Sequence, residues 1–370
     1  MINTARLLNT FKNLVTIDSP SFGERQICDY IKSELKELDL TFYEDDCAAK
    51  IGGNCGNLYS YIDGDINLPP LLFCSHMDTV EPSRGKTMTV HDNGTITSDG
   101  TTVLGADDLA AIASYLEAYR VIKENGLPHR PLELLFAVAE EPYNIGIKAF
   151  DLSILKSKEA YVFDLSGPVG VAANQAPTLI SFKITFLGRS AHAGFAPENG
   201  IHAIKAAAQT ISQIKCGRVD DLTVNIGTIT GGTANNIVPD KCTFTGEVRS
   251  FSDEHATAHA DYIAGLAKKT AQIFGAVAEV EITKHITAYC TDTNHSVVKR
   301  FKNSCKGLGL AGSLCSTYGG SDNNHLVLHG IDGIVVATAM NDCHTTDEYT
   351  TVKELSNAAN LALSLMLSKE

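Results

Sequence analysis

The stretch Leu132-Glu133-Leu134-Leu135-Phe136-Ala137-Val138-Ala139-Glu140-Glu141 is a short apolar run that stops on two adjacent carboxylates. Its length and composition are those of a strand covered on both faces, which belongs in a parallel sheet. Two carboxylates at the end of such a strand are costly unless something cationic compensates them. The same plan recurs along the chain. Leu71-Leu72-Phe73-Cys74 leads to His76-Met77-Asp78, Tyr161-Val162-Phe163 to Asp164, and the apolar strand Ile334–Ala337 is followed by His344. Between these runs the spacing turns helical. Ser21-Phe22-Gly23-Glu24 has the form of a capping box ahead of Ile27, Ile31, Leu35 and Leu38, and Asp107-Asp108 opens a pattern of Leu109, Ile112, Leu116 and Tyr119. Strands interleaved with helices predict βαβ units and an α/β fold built on a mostly parallel sheet.

The pattern changes near Pro177. Ile180, Phe182, Ile184 and Phe186 alternate strictly, as in a strand with one wet face. A helix over Ile201, Ile204, Ala208 and Ile211 follows, then strands around 224–229 and 242–248, a long helix capped by Ser252 and ending near Gly275, and an alternating strand over 277–286. The order strand-helix-strand-strand-helix-strand is ferredoxin-like. After about residue 290 the α/β alternation resumes, with a helix near 295–307, a strand ending near Tyr318, the strand 334–337 and a final helix from Val352. This predicts one α/β domain over 1–177 and 290–370, interrupted by an inserted α+β domain over 178–289.

Length and composition narrow the function. At 370 residues the chain is large enough for two or three domains and needs no disulfide staples. A formal charge of −13 disfavours nucleic-acid and anionic-membrane partners. Ten cysteines without a C-x-x-C pair read as reduced thiols, which with no signal peptide and no apolar run of membrane-spanning length predicts a cytoplasmic protein.

In an open parallel sheet, ligands bind beyond the carboxyl ends of the strands. His76, Asp107, Glu140, Glu141, Asp164 and His344 are therefore placed to converge. Each alone has an ordinary reading: a histidine or aspartate after a strand is usually a loop hydrogen-bonder, and Asp107-Asp108 would serve as a helix N-cap. Together they make an oxygen and nitrogen donor set suited to a pair of Zn²⁺ ions, with Co²⁺ or Mn²⁺ as alternatives. The count leaves Glu140 over as a base, and Asp78 is spaced to accept the second N–H of His76.

Seven segments then resemble the M20 metallopeptidases, most closely the peptidase T-like branch: Ser75-His76-Met77-Asp78, Thr97 to Asp108, Glu140-Glu141, Gly188 to Gly194, Gly231 to Asp240, Gly319 to Asp322, and His344 to Tyr349. They lie in the family's order along almost the whole chain. The resemblance implies a di-zinc catalytic domain with an inserted lid and dimerisation domain, hence a homodimer. It implies Asp107 as the bridging ligand, His76 and Asp164 on one metal, Glu141 and His344 on the other, Glu140 as general base, Asp78 as the orienting partner of His76, and a cis peptide at Asp107-Asp108. In the inserted domain it implies His192, reaching the partner subunit's site, with Asn236 and Arg249 as substrate-binding residues. Arg249, in Gly246-Glu247-Val248-Arg249, also fits an exposed cross-strand pair, and Asn236 an ordinary turn.

The chain departs from the family pattern twice. Pro142-Tyr143-Asn144-Ile145-Gly146 follows Glu141 where relatives usually put a glycine directly after the pair or one residue later, and Ala339-Met340-Asn341-Asp342-Cys343 precedes His344 without the glycines common there. The expected activity is hydrolysis of amide bonds in short peptides, tripeptidase- or aminopeptidase-like, by a metal-bridging water with Glu140 as base. The alternative within the family is a carboxypeptidase or N-acyl-amino-acid deacylase acting on N-acyl amino acids. The non-enzymatic alternative is a ligand-binding scaffold on a retired hydrolase fold.

Overall fold

The computed structural model describes residues 1–370, which divide into two compact units: Met1–Gln175 with Cys290–Glu370, and Ala176–Tyr289. No helix is long and apolar enough to cross a membrane.

The first unit is built on a mixed sheet. Its centre is parallel, in the order Leu132–Ala137, Leu71–His76, Glu159–Ser166, Asp332–Met340. Its margins are antiparallel: Leu58–Ile62 pairs beside Leu132–Ala137, and Val171–Ala176 beside Asp332–Met340. The strands Leu71–His76 and Leu132–Ala137 are buried at every position, as strands with both faces covered must be. The one charge inside the run 132–137, Glu133, accepts from the Tyr59 hydroxyl at 2.5 Å and from the Lys156 and Ser157 backbone N–H groups at 3.0 and 2.7 Å. The helix Ala106–Asn125 packs on the strands Leu71–His76 and Asp332–Met340 and beneath the helices Thr4–Val15 and Val352–Leu367. It is therefore buried on nearly every side rather than along the single stripe that Leu109, Ile112, Leu116 and Tyr119 mark.

The capping box expected at Ser21–Glu24 does not form. The helix Arg25–Glu37 begins without a side-chain cap. Glu24 instead accepts from the N–H groups of Phe22 and Ala139, both at 2.9 Å, and the Ser21 hydroxyl donates to Asp78 Oδ2 at 2.7 Å. Each side chain has a partner across the fold in place of the reciprocal cap.

In the second unit the strands Leu222–Gly231, Lys241–Ser250, Thr178–Leu187 and Val277–Ile286 form an antiparallel sheet in that order, with short Gly217–Val219 at its edge. Ile180, Phe182, Ile184 and Phe186 pack with Ala203, Ala206 and Ala207 of one helix and with Ala256, Ala260, Ile263 and Ala267 of the other. The Ser252 hydroxyl accepts from His255 N–H at 3.2 Å and caps the helix Asp253–Phe274. Gly275 ends it in the left-handed conformation, φ 66°.

Candidate metal centre

Sheet register sets the heights of the polar side chains. His76 pairs with Ala137, and Cys74 pairs with Val162, so Asp164 stands level with His76, inside the strand Glu159–Ser166 rather than after it. Glu140 and Glu141 follow a left-handed residue, Ala139 at φ 46°. His344 lies in the loop after the strand Asp332–Met340. Asp107 lies in the first turn of the helix Ala106–Asn125, where Asp107 and Asp108 have non-helical backbones and the peptide between them is cis. Neither aspartate caps that helix. The Glu348 carboxylate accepts from the N–H groups of Gly105 and Asp107, at 2.7 and 3.0 Å, which leaves the Asp107 side chain turned to the histidines.

Six side chains meet there. Asp107 offers one oxygen to each imidazole: Oδ1 is 3.1 Å from His76 Nε2 and Oδ2 is 3.2 Å from His344 Nε2. His344 Nε2 is also 3.3 Å from Glu141 Oε2. Donor atoms of His76, Glu140 and Asp164 lie within 4.8 Å of one another, as do those of His76, Asp107 and Glu141. Behind them the buried Asp78 carboxylate gathers donors. Its Oδ1 lies 3.3 Å from His76 Nδ1 and accepts from Glu140 N–H at 3.0 Å, and its Oδ2 accepts from Glu141 N–H at 3.2 Å. The Asp78 backbone carbonyl also lies 2.9 Å from His76 Nδ1. With both neighbours of Nδ1 acceptors, the proton belongs on that nitrogen and Nε2 is left as the donor atom for an ion.

The electrostatics show what this donor set lacks. Burial pushes the carboxyls of Glu140 and Asp164 well above the usual range, and neighbouring negative charge adds to it. Burial also raises Glu141, against the hydrogen bond from His344. Asp107 is held low because the His344 and His76 imidazoles outweigh its burial. His344, between Asp107 and Glu141, is pushed up to about 11, and His76 is raised by Asp107 and Asp78 against its own burial. Glu141 Oε1 is buried without a hydrogen-bond partner. Four carboxylates crowded around two imidazoles, with an orphaned oxygen among them, fit a cationic occupant of oxygen and nitrogen donors, since divalent metal supplies the positive charge that the imidazoles otherwise take up as protons.

The other three candidates lie in the second unit. His192 and Asn236 are neighbours there: His192 bridges to Ile237, and Ala193 N–H donates to the Asn236 carbonyl at 2.9 Å. His192 Nδ1 accepts from the N–H groups of Gly194 and Phe195, both at 3.1 Å, so the neutral ring carries its proton on Nε2. Arg249 is not part of that pair. It sits eight residues beyond Lys241 on the strand Lys241–Ser250, and its guanidinium holds Glu247 through Nε at 2.8 Å and Nη2 at 3.1 Å.

Ser21, Glu24, Asn144 and Glu348 support the cluster without having been singled out for it in sequence. Glu348 was within reach of that reading, being four residues from His344 in a matched segment. Ser21 and Glu24 carried the opposite signal, that of a local cap.

A half-parallel α/β unit with carboxylates and imidazoles gathered at the carboxyl ends of its strands, accompanied by an α+β unit, is the architecture of a metallopeptidase. The family model of the peptidase dimerisation domain of M20 enzymes matches residues 176–273, and that of peptidase family M28 matches 57–167. The chain is 35% identical to a tripeptidase from Staphylococcus aureus subsp. aureus Mu50 of known structure, covering 99% of this chain and 98% of that one with a TM-score of 0.96. It is 36% identical to the aminopeptidase PepT from Bacillus cereus ATCC 10987, with the same coverage and a TM-score of 0.92. It is also 36% identical, over 99% of both chains, to the uncharacterised protein YqjE of Bacillus subtilis strain 168. The chain belongs to the M20 family of metallopeptidases, in its peptidase T-like branch.

Proposed function

We propose that this peptidase is a di-zinc enzyme that hydrolyses amide bonds of short peptides, tripeptides above all, with Glu140 as general base. The observation that carries the reading is the Asp107 carboxylate, whose two oxygens face two different imidazoles at 3.1 and 3.2 Å. That is the arrangement a carboxylate shared between two ions needs. His76 and Asp164 would hold one ion, Glu141 and His344 the other, and Co²⁺ or Mn²⁺ could replace zinc in the same donor set. When bound, a metal pair supplies Lewis acidity, lowering the pKa of water and polarising the scissile carbonyl.

The chain's own residues do the rest. Glu140 takes the proton of the attacking water on its carboxylate and returns it to the leaving nitrogen. Burial raises its carboxyl above the usual range. Asp78 keeps His76 oriented through Nδ1 and fixes the backbone of Glu140 and Glu141. His192 would donate from Nε2 to the developing oxyanion, for which its tautomer is already set. Asn236 and Arg249 would bind the backbone or carboxylate of the substrate. The reading includes a homodimer, in which His192 acts on the partner subunit's substrate, and a cytoplasmic setting, consistent with ten free cysteines.

The test is a panel of dipeptides, tripeptides, longer peptides and N-acetyl amino acids assayed with the zinc-loaded protein. Preferential cleavage of tripeptides is expected. Preference for N-acetyl amino acids or for C-terminal residues of longer peptides would overturn the substrate assignment in favour of a deacylase or carboxypeptidase.

A further inference from the structure

The segment that follows Glu141, Pro142 to Gly146, carries a buried polar contact to Glu140. Asn144 Nδ2 lies 2.6 Å from Glu140 Oε1 and 3.0 Å from Asp322 Oδ1. Both partners are acceptors, so this end of the amide is the NH₂ and its two hydrogens are divided between the two carboxylates. The backbone is built for it. Asn144 N–H donates to the Glu140 carbonyl at 2.5 Å, closing a turn that folds residue 144 back over residue 140. Asn144 is left-handed, φ 59°, a conformation asparagine tolerates better than most residues. It also occupies the N-cap position of the short helix Ile145–Ala149, where an asparagine side chain ordinarily bonds its own helix, yet this one makes no capping bond. The side chain is 2% exposed and turned inward instead.

Asp322 is fixed in turn. It opens the helix Asp322–Leu328 behind a complete capping box, in which the Ser321 hydroxyl accepts from Asn323 N–H and the Asn324 side chain accepts from Ser321 N–H. Its second oxygen faces the Cys74 thiol at 3.8 Å. The Gly319-Gly320-Ser321-Asp322 segment thus ends on an anchor for Asn144.

We propose that Asn144 is a positioning residue for the reaction, bridging Glu140 to Asp322 so that Oε1 of Glu140 is held and Oε2 is left to exchange the proton. The proposal rests on Glu140 being the base, and its experiment separates the two ideas. Asn144→Gly keeps the left-handed turn and deletes the amide. On the peptide Ala-Ala-Ala, kcat of this variant is expected to fall on the order of 10²-fold, the loss that a misplacement of about 1 Å produces, with KM and zinc content little changed. Asn144→Asp, of the same shape but with an acceptor facing two carboxylates, should fall further. In a Glu140→Gln background, Asn144→Gly should cause no additional loss, because the group it positions is gone. A crystal structure of Asn144→Gly should show the Glu140 side chain displaced. The proposal is overturned if Asn144→Gly retains kcat while Glu140→Gln is inactive, if its loss is equally large in the Glu140→Gln background, if it loses zinc, or if Glu140 keeps its orientation. Full turnover by Glu140→Gln itself would remove the base, and this role with it.

Discussion

The roles proposed for Glu140 and Asp78 around His76 make different predictions. Replacing Glu140 by Gln keeps shape and hydrogen bonding but removes the proton acceptor. The expected result is a loss of about 10²–10⁴ in kcat, the range of general acid–base catalysis, with full metal content by elemental analysis. Normal turnover by a fully loaded variant would refute the assignment. Asp78→Ala leaves the Ser21 hydroxyl and two backbone N–H groups without their acceptor, and leaves His76 Nδ1 with the backbone carbonyl of residue 78 as its one acceptor. Metal affinity should drop about 10–100-fold, as for other partners of ligating histidines, measured by competition with a chromogenic chelator. Glu24 makes a prediction about pH. Burial, with the Asp78 charge, pushes its carboxyl from 4.5 up to about 7. A raised acid holds its proton longer in the folded state than in the unfolded one, so stability contributed here falls as pH rises from about 4.5 to 7 and stays lost above. Glu24→Gln should therefore improve relative to the parent in thermal melts at pH 8 compared with pH 5. An unchanged difference at the two pH values would contradict this.

The turns around the cluster are built from left-handed residues that are not glycine. Tyr143 at φ 72° and Asn144 at φ 59° follow Glu141, while Ala339 at φ 71°, Asp342 at φ 51° and His344 at φ 64° lie along 339–344. These are left-handed residues where glycine fits without a Cβ clash. Tyr143→Gly should thus stabilise the protein by about 1 kcal/mol, since a left-handed non-glycine residue carries a penalty of that order, seen as a Tm higher by a few degrees. A lower Tm would mean that the contacts of Tyr143 outweigh its backbone. The same elements mark where sequence reading reaches its limit. Strands such as Leu71–His76 are legible because burial on both faces leaves continuous apolar runs. The Ser21-x-x-Glu24 pattern misleads because identical spacing serves a local cap or distant partners, and here the partners are 57 and 115 residues away. Asp107-Asp108 misleads in the same way, since the acceptor for that helix start is Glu348, 243 residues from Gly105.

Convergence was the legible part of the architecture: a parallel sheet puts every strand's carboxyl end on one edge, so residues as distant as His76 and His344 could be expected to share a site before any coordinates. The antiparallel margins were not legible, because Leu58–Ile62 and Val171–Ala176 are short and half-polar in burial, and only their neighbours decide their direction. Nor was the separation of Arg249 from His192 and Asn236, which depends on the distance travelled along one strand. With the proposed ions among its buried carboxylates, the protein should depend on them for more than turnover. Chelation is expected to abolish peptide hydrolysis and lower Tm, because ions bound to the folded state alone stabilise it, and added Zn²⁺ should restore both. A chelated protein with unchanged Tm and activity would revive the scaffold alternative. The most direct measurement is anomalous diffraction at the zinc edge from crystals grown with Zn²⁺. Two peaks about 3.5–4 Å apart, one on each side of Asp107, are predicted; a single peak, or zinc bound away from His76 and His344, would contradict the di-zinc site.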